Sequence, residues 1–177
     1  MTRFLLPRLR HHVASEDGTM APSVALWMPV FLLLIVSSIE LGTLTARHTM
    51  LEKALDQTMR EVKIGIGPTN HQQMKESICE KARILPDCTE NLRLEMIPMD
   101  MNAWVEPPAM VDCTDAAQPL TPQRQFTMGG GGQMMFLRAC FKFRPATAIS
   151  GFNASLGKDS SGYAALVSTT AFVNEPS

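Results

Sequence analysis

The stretch Val24–Ile39, VALWMPVFLLLIVSSI, contains sixteen residues and no charged side chain. With Met20–Ser23 before it and Leu41–Leu44 after Glu40, the apolar segment is long enough to cross a bilayer as a helix. A buried helix of a soluble protein is the alternative, but such a helix shows a polar stripe with a period of 3.6 residues, and this stretch has none. The sequence therefore predicts a single transmembrane helix, assigned to residues 19–44.

The charges that flank the span predict its orientation. Arg3, Arg8 and Arg10 precede it, whereas the far side opens with Glu40 and then mixes both signs. Because positive residues stay in the cytoplasm, we expect residues 1–18 to be cytoplasmic and residues 45–177 to lie outside it. A cleaved secretory signal is the alternative, but the run is long and no small-x-small site follows it promptly. We also expect Pro29 to kink the helix and Glu40 to lie at the membrane interface.

Length and charge limit the classes of protein that this chain can belong to. Its 177 residues suit one compact domain plus an anchor. The formal net charge is -1, and no block of Lys or Arg follows the first ten residues, which argues against a nucleic acid partner.

All four cysteines follow the span, as expected for an oxidising compartment. Their spacings, Cys-x8-Cys, Cys-x24-Cys and Cys-x26-Cys, contain no short pair of the kind that binds zinc, so disulfides are favoured over a metal site. Three pairings are possible. We predict Cys79 with Cys88, which closes a short loop around Pro86, and Cys113 with Cys140, which ties a long loop to the best strand.

Apolar positions after Gly42 predict that the anchor continues as an amphipathic stalk to about residue 66, where Gly65, Gly67 and Pro68 end it. The positions on the apolar side of this stalk are Leu44, His48, Leu51, Leu55, Thr58, Val62 and Ile66. A second helix should follow, capped by Thr69 or Asn70 with Gln72 or Gln73 three residues on, and it should stop before Pro86. The apolar face of this second helix would comprise Met74, Ile78, Ala82 and Ile84.

From residue 91 the period changes to that of strands. Leu92, Leu94 and Met96 alternate with charged residues, Ala103–Val105 is a weaker candidate, and Met134–Arg144 and Tyr163–Val173 are stronger ones. In Met134–Arg144 the alternation predicts a sheet with one covered face. Three or four antiparallel strands packed on the stalk give an α+β fold, a small antiparallel sheet that is disulfide-bonded.

No motif indicates an enzyme. Gly129–Gly132 lacks the Lys-Ser/Thr pair of a phosphate loop and is interpreted as a flexible connection. The sequence also has no nucleophile elbow and no paired-His motif. We therefore expect no catalytic residues, no metal and no cofactor.

The segment Glu16–Phe31, EDGTMAPSVALWMPVF, with the following leucine-rich run and Ile39-Glu40-Leu41-Gly42, resembles the N-terminal region of TadE/TadG-like proteins of the bacterial tight-adherence pilus system. The resemblance rests on a glycine after acidic residues, the proline midway along the span and the Glu-x-Gly at its end. It covers residues 16 to about 60. The C-terminal stretches Leu137–Cys140 and Ala165–Val173 also look like alphaproteobacterial members of this group.

The resemblance implies a pseudopilin-like or minor pilin component of a type IV-related pilus, held in the bacterial inner membrane with its domain in the periplasm. The partners that it implies are the membrane, pilus subunits or other pilus-assembly proteins, and a prepilin peptidase. This peptidase would cleave the chain between Gly18 and Thr19. Members commonly carry a glutamate five residues past the cut, whereas this chain has Ser23. The alternative function is a membrane-tethered periplasmic ligand-binding or sensory module.

Overall fold

The computed structural model describes residues 20–103, 105–106, 113, 129–145, 156–159 and 161–173. Its helices are α1 (Met20–Lys63), α2 (His71–Lys81) and α3 (Cys88–Asn91), and its strands are β1 (Leu92–Met99), β2 (Met134–Phe143) and β3 (Ala164–Val173). This is the α+β arrangement expected from the sequence. The chain divides into two compact units between Ile39 and Glu40.

In the first unit the described residues form the N-terminal part of α1. Pro29 lies inside the helix, and the helical assignment continues through it. From Pro22 to Ile35 every side chain is exposed. The helix is long and apolar enough to cross a membrane, and no residue of its most apolar 18-residue window is buried. The predicted kink at Pro29 stays a prediction.

In the second unit the remainder of α1 supplies one side of the hydrophobic core. Leu51, Leu55 and Thr58 are buried as expected, while Leu44 and Val62 pack partly against the core. Ala54 and Met59 are buried as well. The hydroxyl of Thr58 donates to the carbonyl oxygen of Ala54 at 2.8 Å, so this buried polar group is satisfied within the helix.

The end of α1 is set by Gly65, which has a φ of +77° that side chains with a Cβ rarely adopt. Gly65 N–H donates to Val62 O at 3.1 Å, and Ile66 N–H donates to Glu61 O at 3.2 Å. These two bonds form a Schellman motif that ends the helix at Lys63, three residues before the expected end. Ile66 was therefore wrongly assigned to the apolar side, because it lies beyond the last turn and is 76% exposed.

Asn70 caps α2, accepting a hydrogen bond from Gln73 N–H at 2.9 Å. Gln73 Oε1 accepts from Thr69 N–H at 3.2 Å, one residue before the cap. Asn70 and Gln73 are therefore the capping pair among those that the sequence offered, although Gln73 reaches Thr69 N–H and not the Asn70 N–H of a standard capping box. Met74, Ile78 and Ala82 are buried. Ile84 was expected beside them but is 45% exposed, because the helix ends at Lys81 and the following turn buries Leu85 in its place.

The three strands form one antiparallel sheet in the order β1-β2-β3. Arg93 pairs with Cys140 across β1 and β2, and Cys140 pairs with Val167 across β2 and β3. One face of the sheet packs on the helices. Its buried side chains are Leu92, Leu94 and Met96 from β1, Met135, Leu137, Ala139, Phe141 and Phe143 from β2, and Ala164, Leu166 and Phe172 from β3.

The expectation of a single covered face is wrong for β2. Arg138, Cys140 and Lys142 point away from the helices, yet each is more than nine-tenths buried. The central strand is flanked on both sides, Cys140 is bonded to Cys113, and the two cations are paired with acidic neighbours. Ala103 and Val105 are not in a strand, so the weak candidate there is also wrong.

Candidate functional site

The exposed apolar surface of the first unit is a candidate contact surface. It is formed by residues 24–39, and we call it the span surface. Leu26 is 77% exposed, Trp27 is 72% exposed and Phe31 is 60% exposed. A contiguous run of exposed apolar side chains is unfavourable in water, and such a run along one helix fits lipid. The span surface therefore fits a membrane anchor.

The residues on either side of the span surface include those expected to take part in cleavage and one expected at the membrane interface. Gly18 and Thr19 lie outside the described residues. Ser23, the position where the resemblance leads one to expect a glutamate, is exposed. Glu40, expected at a membrane interface, is a buried residue of the second unit and is 9% exposed.

The four cysteines form two disulfides, Cys79–Cys88 and Cys113–Cys140. Their Cα atoms lie 5.6 Å and 6.1 Å apart, within the separation that a disulfide spans. This is the pairing predicted from the sequence. The first bridge ties the end of α2 to α3, and the second ties residue 113 to the central strand.

Two ion pairs flank the outer side of β2. Lys142 Nζ lies 2.9 Å from Asp159 Oδ2, while Arg138 lies 3.5 Å from Glu95 Oε2 and its guanidinium stacks over Phe136 at 5.3 Å. Arg138 Nε is buried and has no hydrogen-bond acceptor among the described residues. The two ion pairs offset the unfavourable burial of Arg138 and Lys142 on this face. The pair between Lys142 and Asp159 was not expected, because Asp159 lies in a loop that is distant from β2 in sequence.

His48 joins α1 to the edge of the sheet. Its Nε2 lies 3.2 Å from the carbonyl oxygen of Val167 in β3, and its Nδ1 lies 3.7 Å from Glu52 one turn later. The sequence predicted that His48 occupies the apolar side of the stalk, and this polar contact explains how a histidine is accommodated there.

A shallow groove of about 540 Å³ lies between α1 and α2 in the second unit. Lys81 lies at one side, where its Nζ is 2.9 Å from Glu61 Oε2 and 2.7 Å from Ser77 Oγ. The groove is open and its lining is largely polar. The lining residues are Met50, Lys53, Ala54, Gln57, Glu80, Lys81 and Arg83.

Lys75 on α2 has a perturbed ionisation. Burial lowers the pKa of its ammonium group, the charge of Arg93 lowers it further, and Glu90 acts in the opposite direction. Partial burial of a cation beside another cation raises its free energy in the folded state. Lys75 does not line the groove between α1 and α2.

Within the described ranges, no group of three or more His, Cys, Asp and Glu side chains is placed to hold a metal ion. Comparison of the chain with protein-family models, with curated proteins and with solved structures found no match.

Proposed function

We propose that this chain is a membrane-anchored, non-enzymatic component of a tight-adherence pilus, a TadE/TadG-like minor pilin or assembly protein. Its N-terminus is cytoplasmic, and its disulfide-bonded domain meets pilus subunits or other assembly proteins in the periplasm. Residues 16 to about 60 resemble that family, and this resemblance points to the tight-adherence pilus system. The α+β architecture with an apolar N-terminal helix supports the same proposal.

The observation that carries the proposal is the single helix Met20–Lys63. Its first part is apolar and exposed, and its last part is buried against a three-stranded antiparallel sheet. Pilins share this plan of an apolar helix that continues into a small α+β domain. The two bridges support a location outside the cytoplasm, where disulfides persist.

Ser23 supports a minor subunit or a membrane-resident assembly factor over an abundant filament subunit. Cleavage after Gly18 would create an α-amine on Thr19, and Ser23 offers no carboxylate to neutralise it. An unpaired charge in an apolar filament core is unfavourable by several kcal/mol. We therefore expect few copies in any filament.

The groove between α1 and α2 favours a second candidate function, a membrane-tethered module that binds a ligand in the periplasm. Its volume is in the range of small-molecule sites. Its open, mostly polar lining fits a small-molecule site poorly, since such sites are enclosed and largely apolar. The assembly role is therefore the main proposal.

Deletion of the gene in the native host tests the proposal. We expect surface pili, counted by electron microscopy, to be lost or strongly reduced and to return with the wild-type gene. Normal numbers of pili in the deletion strain would reject the pilus role and leave the ligand-binding module as the candidate.

Processing is tested separately by the intact mass of the protein from that host. We expect loss of the first eighteen residues in the wild type and in Gly18→Ala, and retention of them in Gly18→Arg, because a large side chain obstructs the approach of a peptidase to the backbone. A full-length wild-type mass with normal pili would remove the pilin-like form of the proposal and keep the anchored assembly factor.

A further inference from the structure

The Cys79–Cys88 bridge encloses the residues that form one side of the groove between α1 and α2. Cys79 lies in α2, and Cys88 begins α3 nine positions later. The lining residues that do not belong to α1 are Glu80, Lys81 and Arg83, and all three lie between the bridged cysteines. We call residues 80–87 the bridged segment. The bridge therefore restrains the whole side of the groove that faces α1.

The end of the bridged segment is exposed and lies beyond the last turn of α2. Leu85 is buried, and its N–H donates to the carbonyl oxygen of Ala82 at 3.0 Å. Arg83, Pro86 and Asp87, in contrast, are exposed. Exposed chain outside a helix or strand opens with little loss of free energy, so its order depends strongly on a covalent tie.

Asp87, which directly precedes Cys88, has a φ of 48°. This value lies in the left-handed region, which aspartate tolerates better than most residues but still adopts at a cost. Because Asp87 is next to a bridged cysteine, the bridge helps to hold this conformation. Opening of the bridge frees Asp87 to relax to a negative φ, which favours the open form.

The bridge has two cations in its surroundings. Lys75 precedes Cys79 by four residues in α2, so the two side chains lie on the same face of the helix. Arg93 pairs with Cys140 in the sheet, but its Nη1 turns back to α3 and donates to the carbonyl oxygen of Glu90 at 2.6 Å. Burial lowers the pKa of Lys75, the charge of Arg93 lowers it further, and Glu90 opposes them less strongly. The surroundings of Lys75 are therefore short of negative charge.

A thiolate released from this bridge would supply that negative charge. Cations near a cysteine stabilise its thiolate, and a thiol with a lower pKa is the faster leaving group in disulfide exchange. Cys140 of the second bridge lies between Arg138 and Lys142 on the outer face of β2, but each of these cations is already paired with a carboxylate. A thiolate at Cys140 would thus meet negative charges as well, so exchange is favoured at Cys79–Cys88.

We propose that Cys79–Cys88 is an exchange site for a dithiol oxidoreductase, and that its reduction loosens the side of the groove formed by the bridged segment. One thiolate of the oxidoreductase attacks Sγ of Cys79, which is more exposed than Cys88. The bond between the two protein sulfurs breaks, and its electron pair leaves on Cys88 Sγ beside Lys75 and Arg93.

The second thiolate of the oxidoreductase completes the exchange. It attacks the oxidoreductase sulfur of the mixed disulfide, and Cys79 leaves as a thiolate. The protein gains two electrons, and the two protons lost by the dithiol balance those taken up by the two cysteines. The oxidoreductase is left with a disulfide, and the reverse sequence closes the bridge again. This inference goes beyond the assembly role and does not rest on it.

The test uses the full chain in detergent micelles, with dithiothreitol as the probe dithiol. Samples are quenched at intervals, alkylated and mapped by peptide mass. Cys79 and Cys88 should become alkylated about tenfold faster than Cys113 and Cys140. Lys75→Gln should slow reduction of the first bridge about threefold, because it removes one cation from a partly exposed site.

The matched control is Lys158→Gln. Lys158 is exposed and pairs with Ala164 of β3, whereas Lys75 interacts with Arg93 of β1, on the opposite edge of the sheet. Lys158→Gln should leave the rate of reduction unchanged. Equal rates for the two bridges, faster reduction of Cys113–Cys140, or the same rate in Lys75→Gln as in the wild type would overturn the exchange site.

Hydrogen exchange tests the effect on the groove. In Cys79→Ser/Cys88→Ser, which represents the reduced state, the amides of residues 82–87 should exchange about tenfold faster than in the bridged protein, while those of β2 and β3 should not change. Unchanged exchange in residues 82–87 would show that the bridge does not hold the groove. An equal increase in β2 and β3 would show general loss of structure and would also overturn the proposal. Because no pilus is involved, these results are independent of the deletion experiment that tests the assembly role.

Discussion

Gly65 and Gly67 show how single residues set the boundary between α1 and the rest of the second unit. Gly65 has a φ of +77°, and a Cβ on Gly67 would overlap the backbone of Glu61 and Val62. The sequence predicted that these glycines end the stalk, but only the structure shows that one is required for its backbone conformation and the other for close approach. Their roles differ, and so do the expected effects of substitution.

We predict that Gly65→Ala lowers the free energy of unfolding by about 1 kcal/mol, because alanine is strained at positive φ. Gly67→Ala should lower it by about 2 kcal/mol, because the backbone of α1 must shift to admit a methyl group. Urea unfolding followed by circular dichroism measures both. Gly130→Ala is the control, since a Cβ there meets nothing within 4 Å. A loss as large in the control as in Gly67→Ala would contradict the close approach.

Lys75 supplies a pH-dependent prediction. Burial and Arg93 lower the pKa of Lys75 in the folded state, so the unfolded chain binds more protons between that lowered pKa and 10.5. The unfavourable contribution of Lys75 is thus complete below the lowered pKa and is relieved as the pH rises toward 10.5. We expect Lys75→Gln to raise the melting temperature at pH 7 and to raise it less at pH 10.

The control for this prediction is Lys53→Gln, which removes one positive charge from an exposed position on α1. An equal rise in melting temperature for both variants at pH 7 would show that net charge, and not the surroundings of Lys75, is responsible.

At the scale of elements, the sequence predicted the helices and strands whose positions follow from local periodicity. Met134–Arg144 and Tyr163–Val173 were expected as strands, and β2 and β3 occupy Met134–Phe143 and Ala164–Val173. The second helix and its Asn70 cap were also expected, because Asn70 and Gln73 interact over a few residues. One contact distant in sequence was predicted, since the Cys113–Cys140 bridge follows from the cysteine pairing. The ion pair between Lys142 and Asp159 was missed, because the alternation in β2 carries no information about Asp159.

The two disulfides should stabilise the second unit to different extents. Chain-entropy estimates give about 3 kcal/mol for Cys79–Cys88 and about 3.5 kcal/mol for Cys113–Cys140, because the second bridge closes the longer loop. We predict that Cys113→Ala/Cys140→Ala destabilises the unit at least as much as Cys79→Ala/Cys88→Ala. Chemical unfolding of the full chain in detergent measures both. An unchanged free energy of unfolding in Cys113→Ala/Cys140→Ala would show that the bridge between residue 113 and β2 does not stabilise the unit.

At the scale of the whole molecule, the chain joins an apolar helix to a disulfide-bonded α+β unit, which we propose lies outside the cytoplasm. Periodicity and cysteine spacing predicted both parts, since each depends on composition and local pattern. Neither could reveal the contact between His48 in α1 and the carbonyl oxygen of Val167 in β3, which depends on the folded arrangement.

The most direct test of the central claim is the topology of the chain in the bacterial inner membrane. Alkaline phosphatase, which is active only outside the cytoplasm, and green fluorescent protein, which folds poorly when exported unfolded, are fused separately after Ser177. We predict an active phosphatase fusion and a dark fluorescent fusion, because three arginines precede the span. Fusions made in equal amounts that gave an inactive phosphatase and a bright fluorescent protein would place the domain in the cytoplasm and contradict the account.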